Sequence, residues 1–310
     1  MAFSFFLTGC DQESSDAPIS LYLVFFFFFP GCNQERSDAP TSEQIIHLDQ
    51  LQPLPALLEQ PEGDSLKVAV ASILSPQGTV QSYQPFLHYL ENRIEKDVIL
   101  IQKKTYQEVN DLLSRNVVDV AFVCTGAYVS NKKIMDLLVV PQINGKTTYN
   151  SLLIVPANSD VRKIEELKGS IFAFTDPLSN TGYRYPVSLL EKRGEKPETF
   201  FSRTILTYSH DRSIVAVADG LADGASVDSI VFDFFQKRDP EIVDRTRVIH
   251  QSEPFAMPPV VVPAQIDKSK KDWLKDIFLN VHNDPKGIKA LKNMGVDRFV
   301  EPMPERYRFE

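Results

Sequence analysis

The chain has 310 residues, a formal net charge of −8 and an ordinary globular composition, 43% apolar and 24% charged. That length buries a full-sized core and divides readily into two domains or lobes. The acidic balance excludes a nucleic-acid-binding surface, which needs clustered Lys and Arg to neutralise phosphates; the short KSKK run at 268–271 reads as a solvated helix start.

Residues 1–40 differ from the rest. LTGC at 7–10 has the small-residue pattern that precedes the modified cysteine of a bacterial lipoprotein, and GCDQESSDAP at 9–18 returns as GCNQERSDAP at 31–40. Between them runs the apolar ISLYLVFFFFF, 19–29. It is too short to span a bilayer, which takes about 20 residues, but it suits the apolar region of a signal peptide. A short transmembrane anchor is the alternative. Cys10 has the better cleavage motif and Cys32 the better apolar stretch, so either is the candidate lipidated residue. Residues 1–32 are therefore read as a signal or lipoprotein segment, and 33–65, rich in Gln, Glu, Ser, Asp and Pro, as a flexible tether.

From residue 66 strand-like and helix-like segments alternate. LKVAVASI (66–73), an amphipathic helix over 79–96, VILIQ (98–102), a helix over 106–116 and VVDVAFV (117–123) form a βαβαβ unit. A second unit follows: SLLIV from 151, helical KIEELKG (163–169), SIFAFTD (170–176), a helix over 183–194, RTILT (203–207), a helix over 211–220 and DGASV (223–227). After TRVIH (246–250) and VVV (260–262), an amphipathic helix over 270–284 closes the chain. Short apolar strands between amphipathic helices imply parallel sheets covered on both faces, and two such units imply two lobes facing a cleft.

Little in this pattern announces catalysis. The third cysteine, Cys124, ends an apolar run and reads as a small buried residue, and the histidines at 47, 88, 210, 250 and 282 lack metal-ligand spacing. Neither a GxxxxGK[ST] loop nor a GxSxG turn is present, so no enzyme, metal or cofactor is expected. One stretch does stand out. FTDPLSNTGYRYP (174–186) sets Ser179, Asn180, Thr181 and Gly182 where a helix begins. Two readings are open: an N-cap, or an anion pocket built on unpaired first-turn amides.

Three stretches in order, VVDVAFVCTGAYV (117–129), DPLSNTG (176–182) and YSHDRSIVAVADGLADGASV (208–227), resemble the substrate-binding proteins of phosphonate, phosphite and phosphate ABC transporters. The resemblance covers about 66–300. It implies an α/β, two-lobed type II periplasmic-binding-protein fold, each lobe a mainly parallel sheet flanked by helices. Lobe 1 would comprise 66–150 plus 251–310, and lobe 2 would comprise 151–250. It further implies that Ser179, Asn180 and Thr181 offer donors to an oxyanion, that His210 is the family's binding histidine, and that Tyr106 and Tyr149 face the ligand. Thr125, at a strand's C-terminal end, and Ser75, on position alone, are further candidates.

The chain departs from the aminophosphonate binders of that family, whose two acidic residues hold the ligand's amine. Ile230 and Pro258 stand at the matching positions; Asp228 lies close and is the candidate substitute, although it also suits the N-cap of the following helix. A smaller or uncharged-tail oxyanion is therefore expected. With the N-terminal segment, the resemblance gives the expectation of a monomeric, lipid-anchored extracytoplasmic protein that closes over its ligand by a hinge, performs no chemistry and hands the ligand to an ABC permease. The alternative is the same fold reporting to a membrane histidine kinase.

Overall fold

The computed structural model describes residues 65–308; the segments read as signal and tether, with Cys10 and Cys32, lie outside them. The chain opens with β1 (Leu66–Val70), α1 (Pro76–Ile94), β2 (Val98–Gln102), α2 (Tyr106–Ser114) and β3 (Val120–Phe122), the βαβαβ unit that periodicity implies. Helix α1 starts three residues early for a local reason. Ser75 Oγ accepts the Gly78 N–H, and Pro76 occupies the first turn, where a missing N–H costs nothing. Helix α2 starts on a capping box, with Thr105 and Glu108 each accepting the other's backbone N–H.

Helix α3 (Thr125–Ser130), β4 (Met135–Gln142) and β5 (Thr148–Tyr149) complete the first pass. The second lobe runs through β6 (Ser151–Pro156), β7 (Ile171–Phe174), a π-helical turn at Asn180–Arg184 that leads into α4 (Tyr185–Glu191), α5 (Pro197–Phe200), β8 (Arg203–Leu206), α6 (His210–Ala218), β9 (Gly224–Asp228), α7 (Ser229–Arg238), α8 (Pro240–Val243) and β10 (Thr246–Gln251). The chain then returns through β11 (Phe255–Ala256) to β12 (Val260–Pro263), α9 (Lys268–Asn280), α10 (Pro285–Asn293) and β13 (Arg298–Val300).

Two sheets result, ordered β13-β4-β12-β3-β1-β2 and β10-β6-β9-β7-β8. One half of each is three parallel strands running to an edge, β3-β1-β2 and β9-β7-β8. The mainly parallel expectation describes these halves and needs amending on the other side of each sheet, where β12, β4 and β13, and β6 and β10, add antiparallel. The reason is connectivity. Parallel neighbours need a crossover, usually a helix, whereas β6 and β12 are each entered directly from the other lobe. The two crossing segments pair with each other as the antiparallel β5–β11 ribbon.

Strand β1 shows how both faces are covered. Leu66, Val68 and Val70 pack with Phe86, Leu87 and Leu90 of α1 and Leu274 and Phe278 of α9, while Ala69 turns to Val109 and Leu113 of α2. In the second lobe, Ile154 and Val227 pack with Ile214 and Val217 of α6, and Leu153, Val155, Phe172 and Phe174 with Leu190 and Phe200.

Three expectations are corrected. KIEELKG forms only a 3-10 turn, Ile164–Leu167, because Gly169 ends it at φ +78°. The helix over 183–194 is the continuous stretch from Asn180 to Glu191. The helix over 270–284 does not close the chain: Asp284 caps α10, Pro285 fills its first turn, and β13 then extends the first sheet. Among the described residues no helix is long and apolar enough to cross a membrane.

Candidate ligand-binding site

The turn after β7 is held from below. The Thr181 carbonyl accepts from Ser151 Oγ at 2.9 Å and Ser226 Oγ at 2.6 Å, which ties the turn to β6 and β9. Gly182 follows because nothing larger fits: a Cβ there would lie 1.9 Å from Thr175 Oγ1. Ser179 Oγ accepts the Gly182 N–H at 3.0 Å, so the capping reading is correct. Capping does not use up the residue, since a hydroxyl has two lone pairs and a proton of its own. Ser179, Asn180 and Thr181 are all buried, and Thr181 Oγ1 and Asn180 Nδ2 have no hydrogen-bond partner among the described residues.

His210 opens α6 beside this turn. Its Nδ1 accepts the Asp228 N–H at 3.0 Å, which assigns the ring proton to Nε2, and Nε2 faces Ser179 Oγ at 3.4 Å. Burial pushes the His210 pKa down to about 3, so the ring is a neutral donor. Asp228 Oδ1 accepts the Ile230 and Val231 N–H groups at 2.7 and 3.4 Å and caps α7. Burial pushes its pKa up to about 7, against the pull of those two amides.

From the first lobe come Tyr106, the first residue of α2, and Tyr149, on the ribbon. Both are buried, and neither phenol has a hydrogen-bond partner among the described residues. Burial holds both phenols well above their usual pKa range; the side chains of Thr125 and Asn180 lie near enough to Tyr149 to pull the other way. Thr125 Oγ1 donates to the Ala256 carbonyl at 2.7 Å and so fixes α3 to the ribbon. Cys124 is buried as expected; its Sγ accepts the Asn180 N–H at 3.5 Å, and burial raises its pKa to about 11.

Ser179, Asn180, Thr181, His210, Tyr106, Tyr149, Thr125 and Asp228 thus belong to one connected cluster between the lobes. Ser75 differs: its Oγ caps α1 and its N–H goes to Asp211 at 3.0 and 3.1 Å. Sequence reasoning missed Ser82, Thr175 and Ser209, whose buried hydroxyls also lack partners among the described residues. Lone serines and threonines carry no sequence signal for such a state.

Beside the cluster, a cavity of about 1020 Å³ lies between the lobes, lined in part by Ser82, Tyr83, Asp228, Ile230, Phe234 and Pro258. Among the described residues no group of His, Cys, Asp or Glu could hold a metal ion. The arrangement sets neutral donors, from two helix starts, from Tyr106 and from Tyr149 on the ribbon, beside one buried carboxyl, Asp228, and is suited to holding a ligand.

Two mixed sheets joined by a paired ribbon, with donors converging between them, define a two-lobed periplasmic-binding-protein fold of the type II class. Residues 68–307 match the family described as ABC transporter, phosphonate, periplasmic substrate-binding protein, and the chain belongs to it. Its members are binding components of importers, not enzymes. The chain is 24% identical over 250 residues to the phosphonates-binding periplasmic protein of Escherichia coli K12, covering 78% of this chain and 73% of that one. A binding protein of a Pseudomonas aeruginosa ABC phosphonate transporter superposes with a TM-score of 0.75 at 21% identity, covering 79% of this chain and 84% of the other. A Prochlorococcus marinus protein in complex with methylphosphonate gives 0.71 at 17% identity, covering 78% and 94%.

Proposed function

We propose that this protein captures a phosphate-like oxyanion (phosphonate, phosphite or phosphate) between its lobes and delivers it to an ABC permease by hinge closure. The lobes are 66–150 plus 251–310 and 151–250, turning about the β5–β11 ribbon. The observation that carries this reading is the buried Tyr106 and Thr181 hydroxyls, which no protein atom among the described residues satisfies, beside Tyr149 and Asn180, whose side chains approach each other without a well-aligned hydrogen bond. Buried polar groups are nearly always paired, so donors left over at one place mark a ligand that supplies acceptors. The starts of α6 and of the 180–191 helical stretch point the positive ends of their dipoles, about half a charge each, at the same place. An oxyanion is the ligand that wants many donors and no acceptor. The methylphosphonate complex of the Prochlorococcus protein, on the same fold, supports the choice.

Calorimetric titration against methylphosphonate, phosphite, phosphate, aminoethylphosphonate and sulfate tests it. Methylphosphonate or phosphite should bind tightest. Aminoethylphosphonate should bind more weakly, because Ile230 and Pro258 set apolar walls in the cavity where its amine would need a carboxylate. A clear preference for aminoethylphosphonate would transfer that role to Asp228, and no binding across the panel would end the oxyanion reading.

The anchor completes the proposal: a monomer held at the membrane surface by lipid on Cys10 or Cys32, with 33–65 as tether. Cells fed a labelled fatty acid should label the wild type and one of Cys10→Ser and Cys32→Ser, but not the double variant. Label on the double variant, or none on the wild type, removes the anchor.

A further inference from the structure

Two carboxylates outside the donor cluster bridge the lobes on either side of it. Asp176, just past β7, accepts the Tyr106 N–H on Oδ2 at 3.0 Å and the Leu178 N–H on Oδ1 at 2.8 Å. Asp211, in the first turn of α6, accepts the Ser75 N–H on both oxygens, at 3.0 and 3.1 Å, and the Arg212 N–H on Oδ1 at 2.9 Å. In both cases a carboxylate of the second lobe meets the backbone amide that starts a helix of the first: α1 at Ser75, α2 at Tyr106. Amides at these positions have no partner within their own helix and sit at its positive end. The bonds are charge-assisted, hence stronger than amide–carbonyl bonds. Each carboxylate also holds a member of the cluster. Asp176 fixes the backbone of Tyr106 and precedes the Ser179 turn, while Asp211 follows His210, whose own N–H crosses to the Ile73 carbonyl at 3.0 Å.

We propose that Asp176 and Asp211 are positioning residues that clasp the lobes shut around the ligand, setting how long it is held rather than how fast it enters. The proposal rests on the capture of an oxyanion between the lobes. Its kinetic signature follows from geometry. A ligand enters the open form, in which neither clasp is made, so association does not feel them. Release requires both to break, so dissociation does.

The test uses the full chain with Asp176→Ala, Asp211→Ala, the double variant and the two Asn variants, which keep an acceptor oxygen. With methylphosphonate as probe, each Ala variant should dissociate faster by roughly ten- to a hundredfold, the span expected for a hydrogen bond to a charged group. Association should change by no more than a few-fold. Asn keeps one acceptor oxygen but loses the charge and sets an NH2 where the second oxygen accepts, so it should recover only part of the loss and dissociate at a rate between wild type and Ala. Slower association with unchanged dissociation, or Asn variants as weak as Ala, would overturn the clasp. Pulsed electron-spin distances between labelled unnatural residues at exposed Val80 and Leu221, one on each lobe, give a reading that needs no ligand. The double Ala variant should lengthen and broaden the distance distribution. If the wild type binds no oxyanion, the capture reading falls by itself, and an unchanged distribution overturns the clasp as well.

Discussion

Thr181→Val and Tyr106→Phe are expected to raise the stability of the free protein while lowering its affinity for the oxyanion. Both hydroxyls are buried and have no hydrogen-bond partner among the described residues. A hydroxyl held that way costs about 1–3 kcal/mol. Replacing it with a near-isosteric apolar group removes that cost, and each kcal/mol gained lifts Tm by about 2–4 °C in a domain of this size. The same substitution deletes a bond to a charged ligand, about 1.5–3 kcal/mol, or roughly ten- to a hundredfold in affinity. Thermal unfolding and calorimetry on the same variants check both signs. Ordinary core packing predicts a different pair: altered stability with affinity untouched.

Ser179→Ala makes the useful contrast. Ser179 Oγ both caps its helix at Gly182 and faces His210, so its removal should lower stability and affinity together, the cap alone accounting for about 1 kcal/mol. The proposed function thus predicts opposite stability effects at neighbouring residues: a gain at Thr181 and Tyr106, a loss at Ser179. On the proposed function, stability would be given up at Thr181 and Tyr106 for recognition, which is where a mismatch between local preference and global fold is expected.

Most of the fold was legible in the sequence because its signals are local. The parallel strands announce themselves as short apolar runs between amphipathic helices, whereas the local starts at Ser75–Pro76 and Asp284–Pro285 are passed over, the first by three residues and the second with its whole helix. What periodicity did not carry is pairing between distant segments. Strand β4, ending in Pro141 and Gln142, reads poorly as a strand, yet it lies between β12 and β13, both over a hundred residues away. The ribbon is two residues on each side, too short for any periodicity. The site followed the same division. Ser179 to Thr181 and His210 sit at helix starts that a sequence reveals. Asp176, at the end of the strand over 170–176, and Asp211, at the start of the helix over 211–220, carry no sequence signal of the amides they accept, Tyr106 and Ser75, 70 and 136 residues away.

Gly126→Ala is the substitution expected to separate closure from folding most sharply. Gly126 lies in the first turn of α3, where the helix itself would prefer alanine by about 0.5–1 kcal/mol. The second lobe forbids it. A Cβ at this position would stand 2.4 Å from the Leu178 carbonyl oxygen and 2.8 Å from the Asn180 nitrogen, both backbone atoms of the turn after β7, so no side-chain rotation relieves the clash. The lobes must part by most of an ångström, which draws Tyr106 and Tyr149 away from Asn180 and Thr181. Overpacking of this kind costs about 1–3 kcal/mol, so affinity for methylphosphonate should fall by roughly ten- to a hundredfold. The thermal transition of the ligand-free variant should stay within a few degrees of wild type. Affinity equal to wild type would mean that the bound lobes do not meet at Gly126, and the closed arrangement described above would then not be the one that holds the ligand.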